Sequence, residues 1–235
     1  MTGEFGERLV DLDVAQVTVS VDGGDPQAYL HMRGRPLAPV VEAIAGFCEV
    51  RRRRQARTAI GISCVATRRN VASVPAVVDL ARRLSLDFVS ISNVVPHTPE
   101  MADDALWHHA AQLSNAHPAS WRPRIQAGRF DASETTRPWL DALLRQVPMV
   151  PPPAFDSGAW QNSCRFVRDG VAAVRWDGHV APCLSLMYTH PEHIGGREKI
   201  VRAYAVGHVH TTPISLIWKS EAYRAFRRRV REFDV

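Results

Sequence analysis

Cysteine is scarce in this chain, with four among 235 residues, at positions 48, 64, 164 and 183. So few thiols exclude a disulfide-framed scaffold and leave ordinary buried thiols or metal ligation as their roles. No run of about 18 apolar residues occurs, so a helical membrane span is not expected. The N-terminal MTGEFGERLVDLD is acidic and has no apolar centre, which excludes a signal peptide and makes a cytoplasmic location the expectation. Internal repeats and low-complexity tracts are also missing. Charge of one sign is not abundant: the net +5 collects in two short runs, Arg51 to Arg54 and Arg227 to Arg229. Runs like these are most often solvated helix ends. A nucleic-acid surface would want interleaved aromatic residues, which the first run lacks, so nucleic acid is not an expected partner.

What is present suits a globular chain with a real core, at 46% hydrophobic residues. AQVTVSVD at 15–22 is a β-branched run bounded by Gly23, Gly24 and Pro26, which reads as a strand followed by a loop. Leu37, Val40, Val41, Ile44, Phe47 and Cys48 recur at helical spacing and predict an amphipathic helix over 37–50, with Cys48 in the core. A strand at 58–65 leads through Asn70, in an N-cap region, into a helix near 72–84, and a third strand follows at 88–95. Alternating strands and helices joined by short loops predict parallel crossover units, and chemistry then gathers at the carboxyl ends of the strands. Those ends are Ser20, Asp22 and Gly23, then Thr67 to Asn70, then Asn93 to His97. Residues 101–115 read as helix. Residues 117–160, rich in Pro, Ser and Arg and ending in Pro151, Pro152 and Pro153, read as a connecting segment.

Beyond it, VRWDGHVAPC at 174–183 carries an Asp-Gly pair between alternating apolar and polar residues, which predicts a hairpin with Asp177 and Gly178 in a type I′ turn. An irregular His- and Gly-rich stretch at 188–211 precedes a last helix near 219–232. Ser220 would cap that helix, with Tyr223, Phe226, Val230 and Phe233 on one face. Cys64, at the end of a buried strand, reads as packing.

Three segments together resemble the radical S-adenosylmethionine enzymes that carry a SPASM-type auxiliary-cluster domain. VSVDGGDPQAYLHMRG at 19–34 is similar to the family's fourth barrel strand and loop, and TRRNVASVPAVVDLARRLSLDFVSISNVVPHTPEM at 67–101 to its fifth helix and sixth strand. CRFVRDGVAAVRWDGHVAPC at 164–183, followed by GHVHTTPISLIWKSEAYRAFRRRVREFD at 207–234, resembles the SPASM pattern of Cys, DG hairpin, Pro-Cys and an Ile-Trp-x-Ser lead into a helix. Within that family the maturases of tungsten-containing aldehyde oxidoreductases are the most similar subgroup.

The resemblance implies an α/β fold: the C-terminal half of a partial (β/α)6 barrel over 1–115, a connecting segment over 116–160 and a small SPASM-like hairpin-plus-helix domain over 161–235. It implies S-adenosylmethionine and [4Fe-4S] clusters as the family's cofactors and a peptide, protein or pterin-cofactor substrate. Ser20 and Arg33 would meet the carboxylate of S-adenosylmethionine, Asp22 would support the loop or touch polar cofactor atoms, and Asn93 would lie near the substrate cavity. A planar guanidinium suits Arg33 to a carboxylate. Asp22 with Gly23 simply making a turn, Arg33 as a surface residue and Asn70 as a cap remain open alternatives. Cys164 and Cys183 would be auxiliary-cluster ligands, and no catalytic residue is assigned.

The family's CxxxCxxC loop is missing from the sequence, and the first strand corresponds to the family's fourth. A fragment unable to start radical chemistry alone is therefore the expectation. Two alternatives stay open. One is an accessory substrate-binding module whose partner chain supplies the cluster-binding half; the other is a zinc protein using His190, His193, His208 and His210 with the two cysteines.

Overall fold

The computed structural model describes residues 3–107, 111–112, 124–127, 129–146, 164–168 and 170–232. The chain divides into two compact units, one of residues 1–95 and 100–153, the other of residues 96–99 and 154–235. The proline run 151–153 and Phe233 lie outside the described residues.

The first unit is built on a parallel sheet. Strands β1 (Gln16–Ser20), β2 (Ala59–Ala66) and β3 (Phe88–Asn93) lie side by side in chain order, and Arg124–Ala127 adds a fourth strand beside β3. Successive side chains alternate across a strand, so the register sorts the sheet into two faces. Val17, Val19, Ile60, Ile62, Cys64, Val89, Ile91 and Ile125 form one face, which joins the core. Helices α3 (Ala38–Arg53) and α4 (Val74–Arg83) complete that core with Ile44, Phe47, Val74, Val77 and Val78. The other face carries Gln16, Thr18 and Ser20, all exposed, then Ser63, Ser90 and Ser92, half-buried.

Helix α1 (Gly3–Asp11) precedes β1, and α2 (Pro26–Arg33) occupies the stretch read from sequence as loop. The signals for α2 are local. Asp25 caps it by accepting the Ala28 N–H at 2.8 Å, Pro26 opens the first turn, and Gly34 closes it at φ +65°.

Three further readings are corrected. Among the described residues of the helix expected over 101–115, helix ends at Asp103, in Pro99–Asp103, and Ala111–Gln112 is a short strand paired with Arg129–Phe130. Within the expected connecting segment, Arg124–Ala127 is a sheet strand and Arg137–Gln146 a helix; Trp139 and Leu143 are buried, with Trp139 edge-on to Phe130 at 5.0 Å. Proline and arginine in the composition hid that apolar stripe. The stretch 188–211 is a hairpin, His190–Ile194 against Arg197–Val201, turned by Gly195 and Gly196 at φ +60° and +74°, the two positive angles a type I′ turn needs.

The Asp-Gly hairpin exists too, between Ala173–Val174 and His179–Ala181, but its turn differs from the expectation. Gly178 alone has positive φ, at +91°, and Asp177 does not. Gly178 N–H donates to the Arg175 carbonyl at 3.0 Å and Arg175 N–H to the His179 carbonyl at 2.8 Å, closing a three-residue loop that ends on the glycine. Asp177 instead spends its carboxylate on Arg175 at 2.6 Å and on the His179 N–H at 3.2 Å. Gly207–His208 pairs on the far side of His179–Ala181, and Tyr223 of the helix Glu221–Glu232 is buried against Val180 and Ile217. No described helix is long and apolar enough to cross a membrane.

Candidate functional site

The carboxyl ends of β1 and β2 are joined by a polar network. Asp22, two residues beyond β1, is 8% exposed. One of its carboxylate oxygens accepts the Val65 N–H at 2.8 Å, and the other lies 2.6 Å from the Arg33 guanidinium. Asp22 and Arg33, named separately from the sequence, therefore form a direct ion pair. Arg33 reaches it from the last turn of α2 with a side chain 41% exposed, so the pair sits where the sheet meets solvent.

Asn70 is the network's second anchor. It is 1% exposed, and it does not cap the short 3-10 turn Val71–Ser73 that follows it. Its amide nitrogen donates to the carbonyls of Asp22 at 2.9 Å and Val65 at 2.8 Å, while its oxygen accepts the Thr67 N–H at 2.8 Å and the Thr67 hydroxyl at 3.2 Å. Gly24 N–H donates to the Ser73 hydroxyl at 2.7 Å. Sequence reasoning placed Thr67 to Asn70 at a strand end and missed the role of Asn70 and Ser73; polar residues following an apolar strand were the one available signal.

Ser20 ends β1 exposed on the polar face, opposite Ser63. Asn93 ends β3 opposite Ala66, with the strand parity of Val89 and Ile91 rather than of Ser90 and Ser92. The four cofactor-binding candidates therefore divide: Asp22 and Arg33 are in contact, and Ser20 and Asn93 fall on opposite sheet parities. For a ligand carboxylate, a half-exposed guanidinium fixed by a buried acid, with a serine on the neighbouring open face, is a fitting donor set.

Cys64 lies 1% exposed on the apolar face of β2. Burial, reinforced by the Asp22 charge, pushes its thiol from 9.0 up to about 12. The neutral thiol is thus favoured by folding; its contribution is whole below pH 9 and is lost as pH rises towards 12. At pH 8 Cys64 should resist iodoacetamide in the native chain and react on unfolding, as mass spectrometry of labelled peptides would read; rapid native labelling would refute its placement.

In the second unit Cys164 directly precedes the helical turn Arg165–Arg168, and Cys183 directly precedes the 3-10 turn Leu184–Leu186. Both are half-buried free thiols. Burial pushes the Cys183 thiol up, the backbone N–H groups of Leu186 and Ser185 pull it down, and the nearby Cys164 and Glu192 charges push it up again. Two half-buried thiols suit cluster ligation in kind. The number does not suit a whole cluster: a [4Fe-4S] centre takes four thiolates, and this unit offers two.

Among the described residues no group of three or more His, Cys, Asp or Glu side chains is placed to hold a metal ion. Of the histidines weighed for zinc, His190 is engaged by the Tyr188 carbonyl at 2.8 Å and Glu192 at 3.3 Å, and His208 stands edge-on to His179 and His210 at 4.8 and 5.0 Å.

Residues 164–234 match the SPASM family, described as an iron-sulfur cluster-binding domain. Over 232 residues, 97% of this chain, the sequence is 28% identical to the tungsten-containing aldehyde ferredoxin oxidoreductase cofactor-modifying protein of Pyrococcus furiosus, of which it spans 58%. Among solved structures, Streptococcus suis SuiB aligns with 91% of this chain and 45% of its own at 12% identity and a TM-score of 0.48. Native anSMEcpe with bound AdoMet and the Kp18Cys peptide aligns with 98% of this chain and 57% of its own at 13% identity and a TM-score of 0.48. The resemblance read from the motifs at 164–183 and 207–234 is thus borne out: residues 164–234 match the SPASM family, and the whole chain is similar to a cofactor-modifying protein of the subgroup named from the sequence.

Proposed function

We propose that this chain is the S-adenosylmethionine-binding and auxiliary-cluster part of a radical enzyme that modifies a cofactor or a peptide. The observation that carries the reading is the Asp22–Arg33 pair, fixed by the Val65 N–H at the carboxyl end of a parallel sheet. In this reading Arg33 and Ser20 receive the ligand's carboxylate, Asp22 orients the guanidinium, and Asn93 borders the substrate. Cys164 and Cys183 give two thiolates to an auxiliary cluster. The functional division follows residues 1–115 together with the strand and helix that 116–160 adds to their sheet and core, and residues 161–235. Bound S-adenosylmethionine would supply a 5′-deoxyadenosyl radical on one-electron reduction, and no three cysteines of this chain stand in CxxxCxxC spacing to hold the reducing cluster. Alone, the 235-residue chain is inactive.

Two measurements test this. Arg33→Lys, which keeps the charge and loses the planar fork, should weaken S-adenosylmethionine binding about tenfold or more by calorimetry; unchanged affinity would remove Arg33 from the site. After anaerobic reconstitution with iron and sulfide, the chain alone should form no 5′-deoxyadenosine above background, and robust product would overturn the reading.

The shortfall of two thiolates favours a second reading, in which the chain is an accessory substrate-binding module and a partner chain brings the rest of the cluster-binding machinery. Co-purification with a protein bearing the three-cysteine loop, and 5′-deoxyadenosine formed by the mixture only, would favour it.

A further inference from the structure

The two arginine runs of this chain are used differently by the fold. In and just after α3, Arg51 pairs with Asp87, Arg52 with Glu49 at 3.5 Å, Arg53 with Glu7, and Arg54 with Asp11 at 3.9 Å. All four cations are spent inside the first unit. The helix Glu221–Glu232 carries five arginines, and the fold spends one. The Arg227 guanidinium lies 4.3 Å from the ring centres of both Trp218 and Tyr223 and donates to the Trp218 carbonyl at 2.9 Å.

Arg224, Arg228 and Arg231 recur at i, i+4 and i+7 and so stand in one line about 10 Å long. They are exposed, as is Arg229 beside them, and among the described residues none of the four has an ion-pair partner. Both acids of the helix, Glu221 and Glu232, sit at its ends and are likewise unpaired among the described residues.

We propose that this arginine line is a docking surface for a carboxylate-rich protein. The planar fork of arginine binds carboxylates in pairs, and arginine with tyrosine is enriched at protein interfaces. Tyr204, 38% exposed, stacks on Phe226 at 5.6 Å and adds an aromatic edge next to the helix. A lipid surface would need the helix's apolar side, which is packed inward through Tyr223 and Phe226. Nucleic acid would want a longer cationic track, and Glu221 and Glu232 bound this one at both ends. A second copy of this chain brings a net charge of +5 against the same sign. The proposal is independent of the cofactor reading, because it uses no cysteine and no residue of the Asp22 network.

The test is fluorescence anisotropy of the full chain with a labelled 20-residue peptide of glutamate and leucine, and with a labelled 20-nucleotide single strand, at 0.15 M salt. The peptide should bind, and Arg224→Gln/Arg228→Gln/Arg231→Gln should weaken it about tenfold or more with the helical circular dichroism unchanged. Arg52→Gln, at a side chain 80% exposed, should leave the affinity as it was. Equal loss in both variants, no loss in the triple variant, or binding of the oligonucleotide in place of the peptide through the same arginines would overturn the proposal.

Discussion

Replacing Asn70 by alanine should cost the first unit about 3–5 kcal/mol, because the change leaves three buried backbone groups without their partner. The carbonyls of Asp22 and Val65 lose their shared donor and the Thr67 N–H loses its acceptor, at a position 1% exposed where water does not replace them. A helix cap, the role suggested by sequence, would be worth only about 1 kcal/mol. The size of the effect therefore separates bridging from capping. Thr67→Val provides the scale: it removes only the longer hydroxyl bond at 3.2 Å and should cost about 1 kcal/mol. Urea unfolding followed by circular dichroism reads both; a loss for Asn70→Ala no larger than that for Thr67→Val would show that the amide is not what joins β1 to β2.

Gly24→Ala should be comparably damaging, at about 3 kcal/mol or more, through overpacking against backbone rather than loss of a bond. A Cβ at Gly24 would overlap the peptide between Ala76 and Val77 in α4, which cannot move aside as a side chain could. The turn would have to pull away from α4 and break the Gly24–Ser73 bond with it. Gly46, inside α3 with nothing within 4 Å of the place a methyl would take, is the matched control. There alanine should stabilise by about 0.5–1 kcal/mol, by helix propensity. Opposite signs in the thermal midpoints of the two variants are the expected result, and a neutral Gly24→Ala would contradict the close approach of turn and helix.

The strands of the first unit were legible because period-two and continuous apolar runs are long-range averages over many residues: β1, β2 and β3 stand within a residue or two of their expected places. What escaped was set by single residues. Helix α2 is too short and too polar for periodicity to find, though Asp25, Pro26 and Gly34 mark both its ends. The helix Arg137–Gln146 was lost in a composition average. The two hairpins are instructive together, since the Asp-Gly pair drew the type I′ reading while Gly195 and Gly196 take those angles. Aspartate there has a better use for its side chain, on Arg175 and on the His179 N–H, than the left-handed backbone would give it. At the site, Asp22 and Arg33 could be named from motif resemblance, but their contact depends on α2 and on the Val65 N–H, neither of which the motif states. Asn70 was visible as a polar residue at a strand end. Its four bonds reach Thr67, Val65 and Asp22, and the last lies 48 positions away, which no local pattern encodes.

The pairing of Asp22 with Arg33 also fixes what kind of guest the sheet's edge can favour. A bare guanidinium would attract any anion from a distance and lose its hold as salt rises. Here its charge is already cancelled by a carboxylate 2.6 Å away, so at long range the site is a dipole with its cationic end partly open to solvent. Such an arrangement draws small anions weakly from a distance, and what it leaves open at contact is the exposed part of the guanidinium, since Asp22 is 8% exposed and both its oxygens are engaged.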